Sequence, residues 1–156
     1  MRRRNRSTDR WRLADDAGSA AIEFIFAGLI LLVPVVYLVV ALGQIQGQAL
    51  GVEAGARHIA RTVAAASGTA DADARADAVL DTVVEEYGLD RSRVELSIAC
   101  AETAASCPAA GATLTVTVRT AVSLPLVPPV LGLDRLAVVP VEASAVQKVS
   151  RFWRDG

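Results

Sequence analysis

GSAAIEFIFAGLILLVPVVYLVVALG, residues 18–43, carries no charged side chain from Phe24 to Leu42 and a single one, Glu23, over its whole length. A helix rises 1.5 Å per residue, so the uncharged part alone reaches across the roughly 30 Å hydrocarbon core of a bilayer. The expectation is a membrane-spanning helix. Before it, Arg2, Arg3, Arg4, Arg6, Arg10 and Arg12 outweigh Asp9, Asp15 and Asp16. The positive-inside bias then keeps the amino terminus in the cytoplasm and exports everything after Gly43. A cleaved secretory signal is the competing reading, with Ala41-Leu42-Gly43 as its small-x-small site. The apolar run and the polar leader are both longer than that class normally shows.

Working outward, the chain divides into a basic leader (1–18), the transmembrane helix (19–43), an exported extension of that helix (44–66) and a small domain (67–156). About a hundred residues outside the leader and span suffice for one modest domain. A net charge of −1 implies neither nucleic acid nor an acidic polymer as a partner. Cys100 and Cys107 both fall on the exported side, where a disulfide would persist. Closing so small a loop is worth roughly 2 kcal/mol on a chain-entropy estimate.

The helical pattern does not end with the span. Leu42, Ile45, Ala49, Val52, Ala56, Ile59 and Val63 recur in steps of three and four, an apolar seam on one face, and Glu53 precedes Arg57 by one turn. A helix from about Ala20 to Ala66 would be some 70 Å long, with a kink expected at Pro34. Beside the seam, Gly43, Gly47, Gly51 and Gly55 form a ridge. Each glycine costs about 1 kcal/mol against alanine in a helix, so the set implies close packing against another helix or else a flexible neck.

After Ser67-Gly68-Thr69 a second helix is expected over 71–87. Asp71 and Asp73 favour its amino end, Ala76, Val79, Leu80, Val83, Val84 and Tyr87 form its buried face, and Gly88 is its stop. Its other face, Asp73, Asp77, Asp81 and Glu85, reads as a solvated acidic surface, because the turn glycine and terminal glutamate of a calcium loop are missing. From Arg93 the period becomes two. Val94, Leu96 and Ile98, then Leu114, Val116 and Val118, give two strands, and a third spans about 137–149 with Pro140 at an edge or bulge. The fold class expected is α+β, with a three-stranded antiparallel sheet.

Between the second and third strands, LPLVPPVLGL (124–133) is too rich in proline for regular structure and too apolar for water. It must pack on the helix, meet a partner or touch the membrane surface. The tail Lys148, Arg151, Phe152, Trp153, Arg154 mixes bases with aromatics, either as an interfacial anchor or as a solvated end.

The inventory for catalysis is poor. His58 is the only histidine and has no nucleophile-bearing turn to serve. Two cysteines without further Cys or His at suitable spacing do not make a zinc site. A phosphate-cradling glycine loop is absent from the sequence. No enzyme activity, cofactor, metal or small-molecule substrate is expected.

Glu23 is the exception. A carboxylate entering hydrocarbon costs a few kcal/mol unless it is paired or reaches the headgroups. Cutting the Gly18–Ser19 bond would leave a positive α-amino group one helical turn away, able to pair with the Glu23 of a neighbouring helix. Gly18-Ser19-Ala20-Ala21-Ile22-Glu23-Phe24 followed by an apolar helix resembles the processing signature of type IV pilin-like proteins, and more closely that of the TadE-like minor pseudopilins. The resemblance covers about a third of the chain. It implies a prepilin peptidase acting between Gly18 and Ser19, with Glu23 and Phe24 matching the family's glutamate and aromatic. It also implies a role in assembling a tight-adherence (Tad, Flp-type) pilus with other pilus subunits and the Tad membrane machinery as partners. The alternative is an uncut single-pass envelope protein that holds a partner through the glycine ridge and the apolar loop.

Overall fold

A computed structural model describes residues 8–101, 107–127 and 130–153, with 8–18, 134 and 135 described by backbone alone. The side chains of the arginine-rich leader and of Arg154 in the tail lie outside the described ones. The element order is α1 (Thr8–Ala64), α2 (Thr69–Tyr87), a 3-10 turn (Arg91–Arg93), β1 (Glu95–Cys100), β2 (Thr113–Ser123), a short α3 (Leu133–Leu136) and β3 (Val138–Lys148). The fold is α+β, with a long apolar amino-terminal helix, a second helix and a three-stranded antiparallel sheet.

The helical assignment of α1 is unbroken at Pro34, whose missing N–H removes one rung of the ladder. The chain separates into two units, Met1–Val40 and Ala41–Gly156. In the first, every described residue from Ser19 onward is exposed apart from a half-buried Tyr37. Only 6% of its most apolar window is buried, so this is not a core helix of its own chain.

In the second unit the remainder of α1 is core. Val52, Ala56, Ile59, Ala60 and Val63 join Ala72, Ala76, Leu80 and Val83 of α2 and Leu114, Val116 and Val118 of β2 in one buried cluster. The seam inferred from spacing is therefore covered from Val52 onward, whereas Leu42 is exposed and Ile45 and Ala49 are half-buried.

β2 is the central strand, and its period of two fixes which face is inside. Leu96 and Val118 pair, as do Val118 and Ala143; one step along, Ile98, Val116 and Ala145 make the same row. β3 lies at an edge, which accommodates Pro140 opposite Ala121 without losing a central hydrogen bond. A disulfide joins Cys100, at the end of β1, to Cys107, with Cα atoms 5.8 Å apart.

The described residues of 124–132 form neither helix nor strand, as the proline content implied, and Gly132, in a left-handed conformation (φ 74°), leads into a short α3 that starts at Leu133, the last residue of LPLVPPVLGL.

α2 begins two residues earlier than its spacing implied and is closed as expected by Gly88 in the left-handed region, φ 62° and ψ 38°. At its start Gly68 offers no side-chain cap. The work passes to Asp71, whose carboxylate accepts from the Ser67 N–H at 2.9 Å and the Ser67 hydroxyl at 3.0 Å and pairs with Arg75 at 2.8 Å. The Arg75 hydrogen bond first, and then the Ser67 N–H, lower the Asp71 pKa from 3.8 to about 2. A depressed carboxylate stabilises the fold above its unfolded pKa and loses that contribution as pH falls through the folded one. NMR titration of the Asp71 side chain should give a midpoint near 2, and Asp71→Asn should abolish this part of the acid limb of unfolding; a midpoint near 3.8 would contradict the assignment.

One inward position of β2 is not apolar. Thr120 is buried, and its Oγ1 has no hydrogen-bond partner among the described residues. An unsatisfied buried hydroxyl costs about 1–3 kcal/mol, and valine has nearly the same shape. Thr120→Val should therefore raise the unfolding free energy by about 1 kcal/mol, read from urea melts of the detergent-solubilised chain through the buried Trp153.

Candidate functional site

The residues singled out from sequence fall into three places. Gly18, Ser19, Glu23 and Phe24 lie consecutively on α1 at the head of the apolar run. Glu23 and Phe24 are both exposed, and Glu23 has no partner among the described residues. Four residues of helix put Ser19 about 6 Å along the axis from Glu23. The exposed carboxylate at this point meets whatever surrounds the apolar helix.

The glycine ridge is the second place, and the structure divides it. An added Cβ at Gly51 would lie 2.6 Å from the Tyr87 Cβ, and one at Gly55 would lie 3.2 Å from a methyl of Val83. At Gly43 and Gly47 an added Cβ would meet nothing within 4 Å. The pairing of 51 with 87 and of 55 with 83 is that of antiparallel helices, as the short connection between Ala64 and Thr69 requires. The sequence reading allowed close packing along the whole ridge, with other chains as the expected neighbours. Its distal half instead seats this chain's own α2, and only Gly43 and Gly47 remain open.

Third, the carboxyl end of α2 and the base of the β2–β3 connection enclose an open cleft with α1. It has a volume of about 730 Å³ and is lined by Gln44, Gly47, Gln48, Tyr87, Leu124 and Pro125 among others. Sequence reasoning did not find this cleft, since its walls come from three segments far apart in the chain. The bare Gly47 at its floor was the one available signal.

Other candidates are ordinary surface. His58 is exposed, beside Ala78 and Thr82 of α2. The acidic face of α2 is exposed, with Asp81 held by Arg91 at 3.1 Å. Arg57 pairs with Glu53 one turn away on α1. No group of three or more metal-binding side chains occurs among the described residues. The tail sits at the far end of the domain from Gln44: Phe152 lies beside Arg61, Ala65 and Ser67, while Trp153 turns inward and is buried.

No family model, curated protein or solved structure matches the chain.

Two glycines of one ridge should therefore respond oppositely to the same change. Gly51→Ala should destabilise the domain by about 1–3 kcal/mol through overpacking against Tyr87. Gly47→Ala should be neutral or stabilise by up to about 1 kcal/mol through helix propensity. Urea unfolding of both variants provides the measurement, and equal effects would argue against the α1–α2 seat.

Proposed function

We propose that this chain is a single-pass, non-enzymatic pilus-assembly protein, a minor pseudopilin of a tight-adherence pilus, cut after Gly18 by a membrane prepilin peptidase. The observation that carries the reading is the position of Glu23. It stands five residues after Gly18, at the head of an apolar helix that its own chain leaves uncovered and that continues into the core of a small domain.

Each part of that arrangement has a use in assembly. Removing residues 1–18 creates an α-amino group on Ser19, and a bundle of parallel helices offers Glu23 of a neighbour as its counter-charge. Charge pairing inside an apolar bundle fixes axial register, because a slip of one turn strands both charges in hydrocarbon. The exposed apolar residues provide the lateral contacts, in the bilayer before assembly and against other pilus subunits after it. The exported domain then supplies a folded head too large for the short major subunit of such a filament. In this reading the leader faces the cytoplasm.

Intact-mass analysis of the protein extracted from its native membrane tests the proposal. A chain lacking residues 1–18 is expected, and Gly18→Phe should leave the leader in place. Glu23→Ala should still be trimmed but should no longer co-purify with other pilus components. A full-length mature chain, or an alanine variant recovered with the filament at no loss, would overturn the reading in favour of an uncut envelope anchor.

A further inference from the structure

The β2–β3 hairpin ends in an apolar tip. From Leu124 to Leu133 the sequence has no charged residue. Leu126 is 85% exposed, Leu131 97% and Leu136 80%, and Val130 and Leu133 are also open to solvent. Leu126 and Leu131 both take positive φ, 62° and 57°, a conformation that leucine rarely adopts. The loop is closed at its base by the Leu124 N–H donating to the Ala137 carbonyl at 2.9 Å. Its large described side chains are thus open to solvent.

The position of that tip follows from the domain itself. At one end, the Ser150 N–H donates to the Ala64 carbonyl and the Val149 N–H to the Ala112 carbonyl, so the start of β2 lies beside the carboxyl end of α1. At the other, Leu124 and Pro125 share a cleft with Gln44, Gly47 and Gln48. From Ala64 back to Gln44 the helix travels about 30 Å. Over Thr113–Ser123 the strand travels about 32–34 Å. β2 therefore delivers its next residues to the end of the domain at which α1 enters it, level with the first polar residues after the apolar run. Exposure alone would not select this loop, since Phe152 is 90% exposed at the opposite end. Among the described residues, exposure of several large apolar side chains and this position coincide at the hairpin tip, where the sequence adds one acid, Asp134, and one base, Arg135.

We infer that the tip formed by Leu126, Val130, Leu131, Leu133 and Leu136 inserts into the outer interface of the bilayer that α1 spans, as a second, shallow membrane contact that holds the exported domain against the lipid surface. The inference rests on the membrane anchoring of α1 proposed above. Lipid is preferred to a protein partner because it requires no complementary shape, and this tip offers a largely apolar surface of no net charge at the end of the domain that carries Gln44.

Spin labels on the full chain in vesicles of phosphatidylcholine and phosphatidylglycerol provide the test. Leu131→Cys and Leu136→Cys report the tip, Phe26→Cys the proposed span and Asp77→Cys the exposed face of α2; the native cysteines are joined and do not react. Both loop positions are exposed, so neither change removes a core contact, and unaltered thermal unfolding checks each variant. The loop labels are expected to be several-fold more accessible to oxygen than to a water-soluble nickel chelate, at a shallower depth than Phe26→Cys. Loop labels as open to nickel as Asp77→Cys, with Phe26→Cys still in lipid, would overturn the inference and leave the anchor standing. Shielding of the loop from both reagents would overturn it in favour of a covering protein. Nickel access at Phe26→Cys would overturn both readings.

Discussion

An apolar helix surface with nothing of its own chain to cover it is the constraint on which the rest depends. From Ser19 to Val40 the described side chains are exposed almost without exception, at a mean hydropathy of 2.9 over the most apolar window. Burial of large aliphatic side chains stabilises by about 1.5–3 kcal/mol each, so the surface demands lipid or other helices around it. The same helix must then change partners within about three turns. From Val52 onward its apolar positions belong to the core of a domain, where α2 and the sheet replace whatever surrounds the earlier part. One covalent helix thereby serves two environments, and its sequence changes composition accordingly, with Gln44, Gln46 and Gln48 marking the change.

That change of partner explains why a glycine ridge is tolerable. Four glycines in a helix would weaken it by a few kcal/mol if none were compensated. At Gly51 and Gly55 the compensation is visible, because only a hydrogen in place of Cβ lets Tyr87 and Val83 approach so closely. Gly43 and Gly47 have no such compensation among the described residues. A regular spacing thus conceals two different roles: half of the ridge is internal architecture and half is bare surface.

How far the sequence disclosed this molecule depends on which forces act locally. The period-two strands, the glycine stop of α2 and the edge position of Pro140 were readable because each follows from backbone sterics or side-chain alternation over a few residues. Asp71 was recognised as favouring the helix start, but its grip on Ser67 and Arg75 depends on how the preceding turn folds. The division of the ridge was not legible, since it depends on where α2 is seated. Nor was the cleft, assembled from α1, the end of α2 and the hairpin base. Thr120 is the reverse case, a polar residue in an inward register that alternation alone would mark as apolar.

The two ends of the domain are built differently. Where α1 ends, the main chain is tied down by Ser150 to Ala64, Val149 to Ala112 and Asp71 to Ser67, and Trp153 is packed into the core. At the end where α1 enters, the chain leaves Gly43 and Gly47 bare, an open cleft beside Gln44, and a hairpin tip of exposed leucines. A domain that needed only to fold would gain by placing polar turns and charged side chains at both ends, as most water-facing loops do. Uncompensated glycine, concave surface and exposed leucine gathered at one end of the domain are costly in water.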